Sequence, residues 1–254
     1  MTGRIRAAWA TVATVALVGC GPSGPDPVAG ATSRLDATDA AGPQVVFTDV
    51  ELPAGERIVA AAIGAELVAR TAPSAGADEV GRFANPRPTG GPLVVLVAGP
   101  VDGDWLEVLL PMRPNGTTGW IAAGDVELSR TPYRIEIDTD DHRLVVYERN
   151  NPIVETTVAI GTGATPTPIG SFYLTELLRP PDPTGPYGTH AFGLSGFSET
   201  LQSFNGGDGV IGLHGTNDPA SLGTDVSHGC VRIANDTIDE LARVLPLGTP
   251  VEIR

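Results

Sequence analysis

Apolar residues recur in short runs along most of this chain, and turn-forming residues separate the runs. Within residues 45–130 the runs cover residues 58–60, 67–69, 93–97, 105–110 and 119–121. Residues 102–104 (Asp-Gly-Asp) and 115–116 (Asn-Gly) lie between them and are typical of tight turns. Short strands at this spacing predict a small β-barrel in the first half of the chain.

The second half alternates more regularly. Residues 133–138 alternate with a period of two, residues 140–142 predict a hairpin turn, and residues 143–147 form the next strand. Further strands are predicted over residues 154–160, 171–178, 210–214 and 249–253. One amphipathic helix is predicted over residues 236–245, with Asn235 or Thr237 as its N-cap and Pro246 and Gly248 ending it.

Two short strands carry the residues with useful chemistry. In residues 210–215 (Val-Ile-Gly-Leu-His-Gly) the aliphatic side chains face one way and His214 faces the other, since side chains alternate along a strand. In residues 227–233 (Ser-His-Gly-Cys-Val-Arg-Ile) Cys230 and Arg232 share the face opposite to the aliphatic residues. If the two strands lie side by side, a thiol, an imidazole and a guanidinium meet on one surface.

The start of the chain reads as a targeting signal. Arg4 and Arg6 precede an apolar run over residues 7–18, which is short for a bilayer span and typical of a secretory signal peptide. Its end, residues 17–20 (Leu-Val-Gly-Cys), resembles a bacterial lipobox, which implies lipidation of Cys20, a membrane anchor and an extracytoplasmic location. The alternative is an ordinary signal peptide with a cysteine nearby by chance. Residues 20–44 are poor in large apolar residues and predict a flexible tether.

Charge and cysteine content exclude several classes of protein. The net charge is −14 and all 16 basic residues are Arg, which argues against a nucleic-acid partner. The two cysteines, Cys20 and Cys230, are too few for a disulfide-dense scaffold or a four-cysteine zinc site. If Cys20 carries lipid, Cys230 is an unpaired thiol outside the cytoplasm, and such a thiol is a candidate for reactivity.

These residue types suit acyl transfer through a thioester. A thiol needs a base or a cation to become a nucleophile, and His214 can take its proton and return it to a leaving amine. The N–H groups of Gly229 and Cys230 are candidate donors to a tetrahedral oxyanion. Arg232 can bind a substrate carboxylate with two parallel hydrogen bonds.

Two alternatives give Cys230 another role. The first is an inert cysteine in the hydrophobic core. The second is a metal site in which Cys230 joins His190, His214 and His228, but this spacing fits no standard site, so neither a metal nor another cofactor is predicted.

Residues 214–217 (His-Gly-Thr-Asn), followed by the Ser-His-Gly-Cys-Val-Arg of residues 227–232, resemble the signature of the YkuD-type L,D-transpeptidases. The resemblance extends over about residues 133–254, including the turn at residues 165–170. Residues 68–73, 103–108 and 119–121 resemble a bacterial SH3-like domain. The implied fold is mainly β, with a small SH3-like β-barrel followed by a YkuD-type β-sandwich catalytic domain with one C-terminal helix. The implied segments are a lipoprotein signal peptide (1–19), a tether (20–44), the SH3-like domain (45–130) and the catalytic domain (131–254).

The resemblance implies that Cys230 is the nucleophile and that His214 accepts and donates the proton. It also implies that a backbone carbonyl, that of Gly215, orients His214. The implied substrate contacts are Arg232, Ser227, His228 and Tyr187. Some family members have Asn in place of Arg232, and His228 has the alternative role of holding the turn. Tyr187 lies in the loop of residues 179–190, which is either a lid or an ordinary surface loop.

Such enzymes release the terminal D-Ala of a peptidoglycan tetrapeptide stem, hold the acyl group on cysteine and pass it to an amine of a neighbouring stem. The expected partners are stem peptides, the membrane through the lipid anchor, and penem-class β-lactams as inhibitors. Two hypotheses compete with transfer. One is an L,D-carboxypeptidase or cysteine peptidase, in which water is the acceptor. The other is an inactive cell-wall binding lipoprotein.

Overall fold

The computed structural model describes residues 54–204 and 207–254, except for the side chain of Pro100. The predicted signal peptide, the lipidation site Cys20 and the tether lie outside the described residues. The described residues belong to one compact unit. No helix in the described part of the chain is long and apolar enough to cross a bilayer.

The first sheet contains seven strands in the order β3-β2-β6-β5-β4-β1-β7, with antiparallel neighbours throughout. The apolar runs predicted β1, β2, β4, β5 and β6, whereas β3 and β7 were not predicted as strands. Likeness to an SH3-like barrel stays a prediction. The strands are β1 (Arg57–Ala62), β2 (Glu66–Arg70), β3 (Glu79–Ala84), β4 (Val94–Asp102), β5 (Trp105–Leu109), β6 (Thr118–Ala122) and β7 (Val126–Thr131), with a short 3-10 helix at Ala123–Asp125.

The second sheet contains eight strands in the order β10-β9-β8-β17-β12-β13-β14-β16. A separate parallel pair joins β11 to β15. The second-sheet strands are β8 (Tyr133–Asp138), β9 (Arg143–Glu148), β10 (Asn151–Thr157), β12 (Gly170–Leu178), β13 (Ala191–Phe197), β14 (Val210–His214), β16 (Val231–Arg232) and β17 (Pro250–Ile253). The pair is β11 (Ile160–Gly161) and β15 (Asp225–Ser227), and a 3-10 helix spans Pro219–Ser221.

The single described helix, α1, spans Asn235–Val244. Its apolar face, which includes Ile238 and Leu241, packs into the core of the second sheet. The predicted side-chain caps are not formed: Ala234 is the N-cap, and no side chain caps the helix. The side chain of Asn235 instead accepts a hydrogen bond from the backbone N–H of Thr216, at 3.0 Å. That bond ties the start of α1 to the segment after β14.

The mainly β fold is thus confirmed, and each sheet has its own buried apolar core. Strand β12 is covered on both faces, because Phe172 and Leu174 pack into the core of the second sheet while Tyr173 packs into the core of the first. Gly248 approaches the first sheet so closely that a Cβ there would lie 2.3 Å from Cγ1 of Val59. The chain passes from the first sheet to the second between β7, which ends at Thr131, and β8, which begins at Tyr133. The predicted division into two domains at residues 130 and 131 stays a prediction.

Candidate active site

The two chemistry-bearing strands lie side by side, which is the condition under which their alternation brings the three groups together. Strands β14 and β16 are parallel, with Leu213 opposite Val231 and His214 opposite Arg232. Ile211 and Leu213 enter the core of the second sheet, together with Val231. The opposite face carries His214, Cys230 and Arg232 into one pocket.

That pocket has a volume of about 200 Å³. Every one of the predicted catalytic and substrate-contacting side chains lines it, namely Cys230, His214, Arg232, Ser227, His228 and Tyr187, and Pro186 and Phe204 complete the wall. A larger cleft of about 1230 Å³ lies elsewhere, between the two sheets, and shares none of these residues. We assign the chemistry to the smaller pocket because it contains the thiol and the imidazole.

Gly212 shows how close the thiol and the imidazole are. A Cβ at this position would lie 3.6 Å from Cδ2 of His214 and 3.8 Å from Sγ of Cys230, so both groups lie beside the same point of β14. The backbone N–H of Gly212 donates a hydrogen bond to Sγ, at 3.4 Å. Such a donor favours the thiolate over the thiol.

His214 is buried and oriented by backbone. Its side chain is 3% exposed, and Nδ1 lies 2.6 Å from the carbonyl oxygen of Gly215. A carbonyl can only accept, so Nδ1 carries the hydrogen and Nε2 keeps a lone pair. This is the contact that the orienting role predicted for Gly215 requires. The ring of Tyr187 packs against the imidazole at 4.8 Å between centroids, with an interplanar angle of 54°.

Burial sets the protonation state of the pair. It lowers the pKa of His214 from 6.5 to about 4; the hydrogen bond to Gly215 acts in the opposite direction, and the charge of Arg232 lowers the pKa further. Burial also raises the pKa of Cys230, against the lowering effects of the Gly212 N–H and of Arg232. Near neutral pH the site therefore holds a neutral imidazole beside a protonated thiol.

The turn before Cys230 depends on Ser227 and Gly229. Ser227 Oγ donates to the carbonyl oxygen of Cys230 at 2.5 Å and accepts from the N–H of Gly229 at 3.1 Å. Gly229 has φ +116°, a conformation that favours glycine.

Two expectations are corrected here. Gly229 was expected to donate to an oxyanion, but its N–H is committed to Ser227. Ser227 was expected to contact substrate, but its hydroxyl is used inside the turn and its side chain is 1% exposed. Cys230 keeps the backbone N–H that sequence analysis proposed as the other oxyanion donor.

Thr167 is a supporting residue that the sequence did not single out. Its hydroxyl accepts from the N–H of Gly161 at 2.9 Å and donates to the carbonyl oxygen of Gly229 at 2.9 Å. The turn that precedes β12 thereby holds the turn that precedes the nucleophile. The only signal in the sequence was that Thr167 lies within the turn of residues 165–170.

The remaining histidines have separate partners. His190 Nδ1 lies 2.7 Å from Oδ1 of Asp239 on α1, and His142 Nε2 lies 2.7 Å from Oδ1 of Asp225. His228 lines the pocket and stacks on Phe204, at 5.1 Å between centroids. Within residues 54–204 and 207–254 no group of three or more His, Cys, Asp or Glu side chains is placed to hold a metal ion.

Comparison with known proteins identifies relatives of this chain. Residues 132–253 match the model of the YkuD family, described as an L,D-transpeptidase catalytic domain. A YkuD protein of Bacillus licheniformis is 34% identical over 58% of this chain and 85% of its own length. The YkuD protein of Bacillus subtilis is 36% identical over 48% of this chain and 66% of its own length. Among solved structures, an L,D-transpeptidase from Mycobacterium smegmatis is 16% identical, with a TM-score of 0.41 over 63% of this chain and 90% of that one.

Proposed function

The chain belongs to the YkuD family of L,D-transpeptidase catalytic domains, and from that premise we propose that it cross-links peptidoglycan through a thioester on Cys230. The donor is a tetrapeptide stem that loses its terminal D-Ala. The acceptor is an amine of a neighbouring stem. The observation that carries this proposal is the closeness of buried His214 and partly buried Cys230, whose side chains lie beside the same point of Gly212.

The first half-reaction uses the neutral pair. His214 Nε2 takes the proton of the Cys230 thiol as sulfur attacks the carbonyl carbon of the donor. The oxygen of the tetrahedral intermediate is negatively charged, and the N–H of Cys230 is the backbone donor nearest to the new bond. When the C–N bond breaks, the proton on Nε2 passes to the departing amine of D-Ala, and the acyl group stays on sulfur.

The second half-reaction reverses these roles. The acceptor amine attacks the thioester carbon and gives a proton to Nε2, and the C–S bond breaks. The sulfur then recovers the proton from His214, so the enzyme returns to its starting state. Water in place of the amine would give the shortened stem as a free acid, which is the carboxypeptidase alternative.

Arg232 supports a carboxylate-bearing donor. Its Nε is buried and has no hydrogen-bond partner among the described residues. A buried unsatisfied donor is costly, and a bound acceptor removes that cost. Because Arg232 lines the same pocket as Cys230, a carboxylate or carbonyl oxygen of the stem is the natural acceptor.

The deciding experiment incubates the protein with a purified tetrapeptide stem and analyses the products by mass spectrometry. Cross-linked dimer with release of D-Ala is expected from the wild type. Cys230→Ala and His214→Gln should fold and give neither product. Tripeptide without dimer would favour the carboxypeptidase, and an unchanged substrate would favour the inactive binding protein.

A penem-class β-lactam tests the nucleophile separately. Opening of the lactam ring by Sγ should add the whole inhibitor mass to one site, because ring opening has no leaving group. Peptide mapping should place the adduct on Cys230, and Cys230→Ala should carry none. An adduct of equal amount on that variant would remove Cys230 as the nucleophile.

We also propose that Cys20 anchors the protein on the outer side of a bacterial membrane. The lipobox-like sequence at residues 17–20 supports this proposal. Expression of the full chain and of Cys20→Ser, followed by separation of membrane from soluble fractions, tests it. Wild type should be found with membranes and the variant in the soluble fraction; equal distribution would contradict the anchor.

A further inference from the structure

Arg113 reaches from the first sheet to the second. It lies in the turn between β5 and β6 and donates hydrogen bonds to three backbone carbonyls of the connection between β13 and β14. Its Nη1 donates to Ser198 at 2.5 Å, and its Nη2 donates to Leu201 at 3.0 Å and to Asp208 at 2.9 Å. Its guanidinium also lies 4.9 Å from the ring centroid of Phe197. One side chain therefore holds both ends of that connection.

Asn115, two residues further along the same turn, holds the beginning of the connection. Its side-chain nitrogen donates to the carbonyl oxygen of Phe197 at 2.8 Å, and its side-chain oxygen accepts from the N–H of Phe197 at 2.9 Å. An amide side chain that pairs with both backbone groups of one residue holds that residue in place relative to its own turn.

The part of the connection between these attachment points reaches the pocket. Phe204 lies between Leu201 and Asp208, lines the pocket of Cys230 and stacks on His228. The backbones of Phe204 and Gly207 are bonded to each other in both directions at 2.9 Å. Phe204 therefore lies in the chain between the carbonyls that Arg113 holds.

The contact is specific for arginine. A guanidinium presents several N–H donors in a rigid planar fork, so one side chain can bond three carbonyls that point in different directions. Gly209 allows the close approach: it has φ +70°, and a Cβ there would lie 2.5 Å from the carbonyl oxygen of Leu201 and 3.1 Å from Nη2 of Arg113.

We propose that Arg113 is a positioning residue of the transpeptidase site, which holds Phe204 as a wall of the pocket and so sets the affinity for the donor stem. The identity of the substrate in this proposal rests on the proposed function. The contacts of Arg113 and Phe204 do not depend on it. The first sheet then contributes to substrate binding through a residue that does not touch substrate.

The test compares Arg113→Gln with Arg130→Gln, which removes the same charge from an exposed position of the first sheet. Loss of the hydrogen bonds to a charged donor should raise KM for the donor stem about tenfold, with kcat nearly unchanged. Hydrogen exchange of residues 198–204 should accelerate, because their backbone loses its attachment. The Arg130 variant should match the wild type in both measurements.

A double-mutant cycle with Phe204→Ala shows whether Arg113 acts through that ring. If it does, the double variant should have a KM close to that of Phe204→Ala alone. The proposal would be overturned if the effects of the two single substitutions on KM multiply in the double variant. It would also be overturned if Arg113→Gln leaves KM, or the hydrogen exchange of residues 198–204, unchanged. If Arg113→Gln does not fold, Asn115→Ala replaces it in the same cycle with the same expected results.

Alkylation of Cys230 by iodoacetamide separates this proposal from the proposed function. It needs no stem peptide, and peptide mapping distinguishes Cys230 from Cys20. Displacement of the wall should raise the alkylation rate in Arg113→Gln, and the effect should disappear in the Phe204→Ala background. A wild type that is inactive on stems would refute the proposed function, and the alkylation cycle would still support or overturn the role of Arg113.

Discussion

His214 should make the stability of this protein depend on pH in a way that a single substitution removes. The pKa of its imidazole is lowered from 6.5 to about 4 in the folded state, chiefly by burial. The unfolded chain therefore binds a proton near pH 6.5, whereas the folded chain resists it until about pH 4. Because the unfolded state binds more protons in this range, the free energy of unfolding must fall as the pH falls. His214→Gln keeps a polar side chain of similar reach but cannot titrate.

The size of the effect follows from the two pKa values. A lowering of one pKa unit corresponds to about 1.4 kcal/mol once both states are titrated. Linkage then gives a loss of about 2 kcal/mol at pH 5 and about 3 kcal/mol at pH 4, relative to pH 7.5. The side chain is 3% exposed, so solvent screening reduces these figures little. Most of the loss falls between pH 6.5 and pH 4, and little further loss from this group is expected well below pH 4.

Urea unfolding of the wild type and of His214→Gln at pH 7.5, 5 and 4 measures this effect. The other titrating groups are the same in both proteins, so their contributions cancel in the difference between the two free energies of unfolding. The variant should be the less stable protein at pH 7.5, and the difference should shift in its favour by about 3 kcal/mol at pH 4. A difference that stays constant from pH 7.5 to pH 4 would show that burial does not lower the pKa of His214.

Three further results are expected. The kcat/KM for the donor stem should rise with pH through one acid-side pKa of about 4, that of His214 as base, and an inflection near 6.5 instead would contradict the buried neutral imidazole. Ser227→Ala should cost about 2 kcal/mol of stability and most of the activity, since two hydrogen bonds of the turn before Cys230 are lost. Ser129→Ala, at an exposed position, should change neither stability nor activity. Urea unfolding measures the stability and turnover of the donor stem measures the activity. Gly188→Ala should lower the melting temperature and the activity, because φ is +64° and the new Cβ would lie 2.7 Å from the backbone carbonyl carbon of Gly215. Gly124→Ala, whose Cβ would meet nothing within 4 Å, is the control. Equal melting temperatures of the two variants would refute the clash.

Periodicity predicted those parts of the fold in which one face of a strand is buried. Residues 210–214 alternate between Ile or Leu on one face and Gly or His on the other, and the structure follows that division. Periodicity could not predict the packing of β12, where consecutive apolar residues enter different cores. A continuous apolar run indicates burial on both faces, but the residues that cover the second face come from a distant part of the chain, as Tyr173 illustrates.

The site was predictable where its residues are close in sequence or alternate on one strand. Cys230, Arg232 and His214 meet these conditions. Thr167 and Phe204 do not meet these conditions, because each belongs to a separate connection between strands. Thr167 bonds the turn before Cys230, and Phe204 stacks on a histidine of the pocket. The side chain of Asn235 shows the same limit: its position favours a helix cap, and only the fold reveals that the N–H of Thr216 lies within its reach. The sequence around a polar side chain does not show whether its hydrogen-bond partner will be a neighbour in the chain or a group that the fold brings close.

In the proposed mechanism, proton transfer from thiol to imidazole depends on the difference between two pKa values, and the neighbours of the pair affect that difference unequally. The charge of Arg232 lowers the pKa of both His214 and Cys230, so its two effects oppose each other in the difference. The Gly215 carbonyl raises only the pKa of His214, and the Gly212 N–H lowers only that of Cys230. Both backbone groups therefore bring the two pKa values closer, against the burial that separates them. The backbone of β14 and of the residue after it therefore favours the proposed proton transfer.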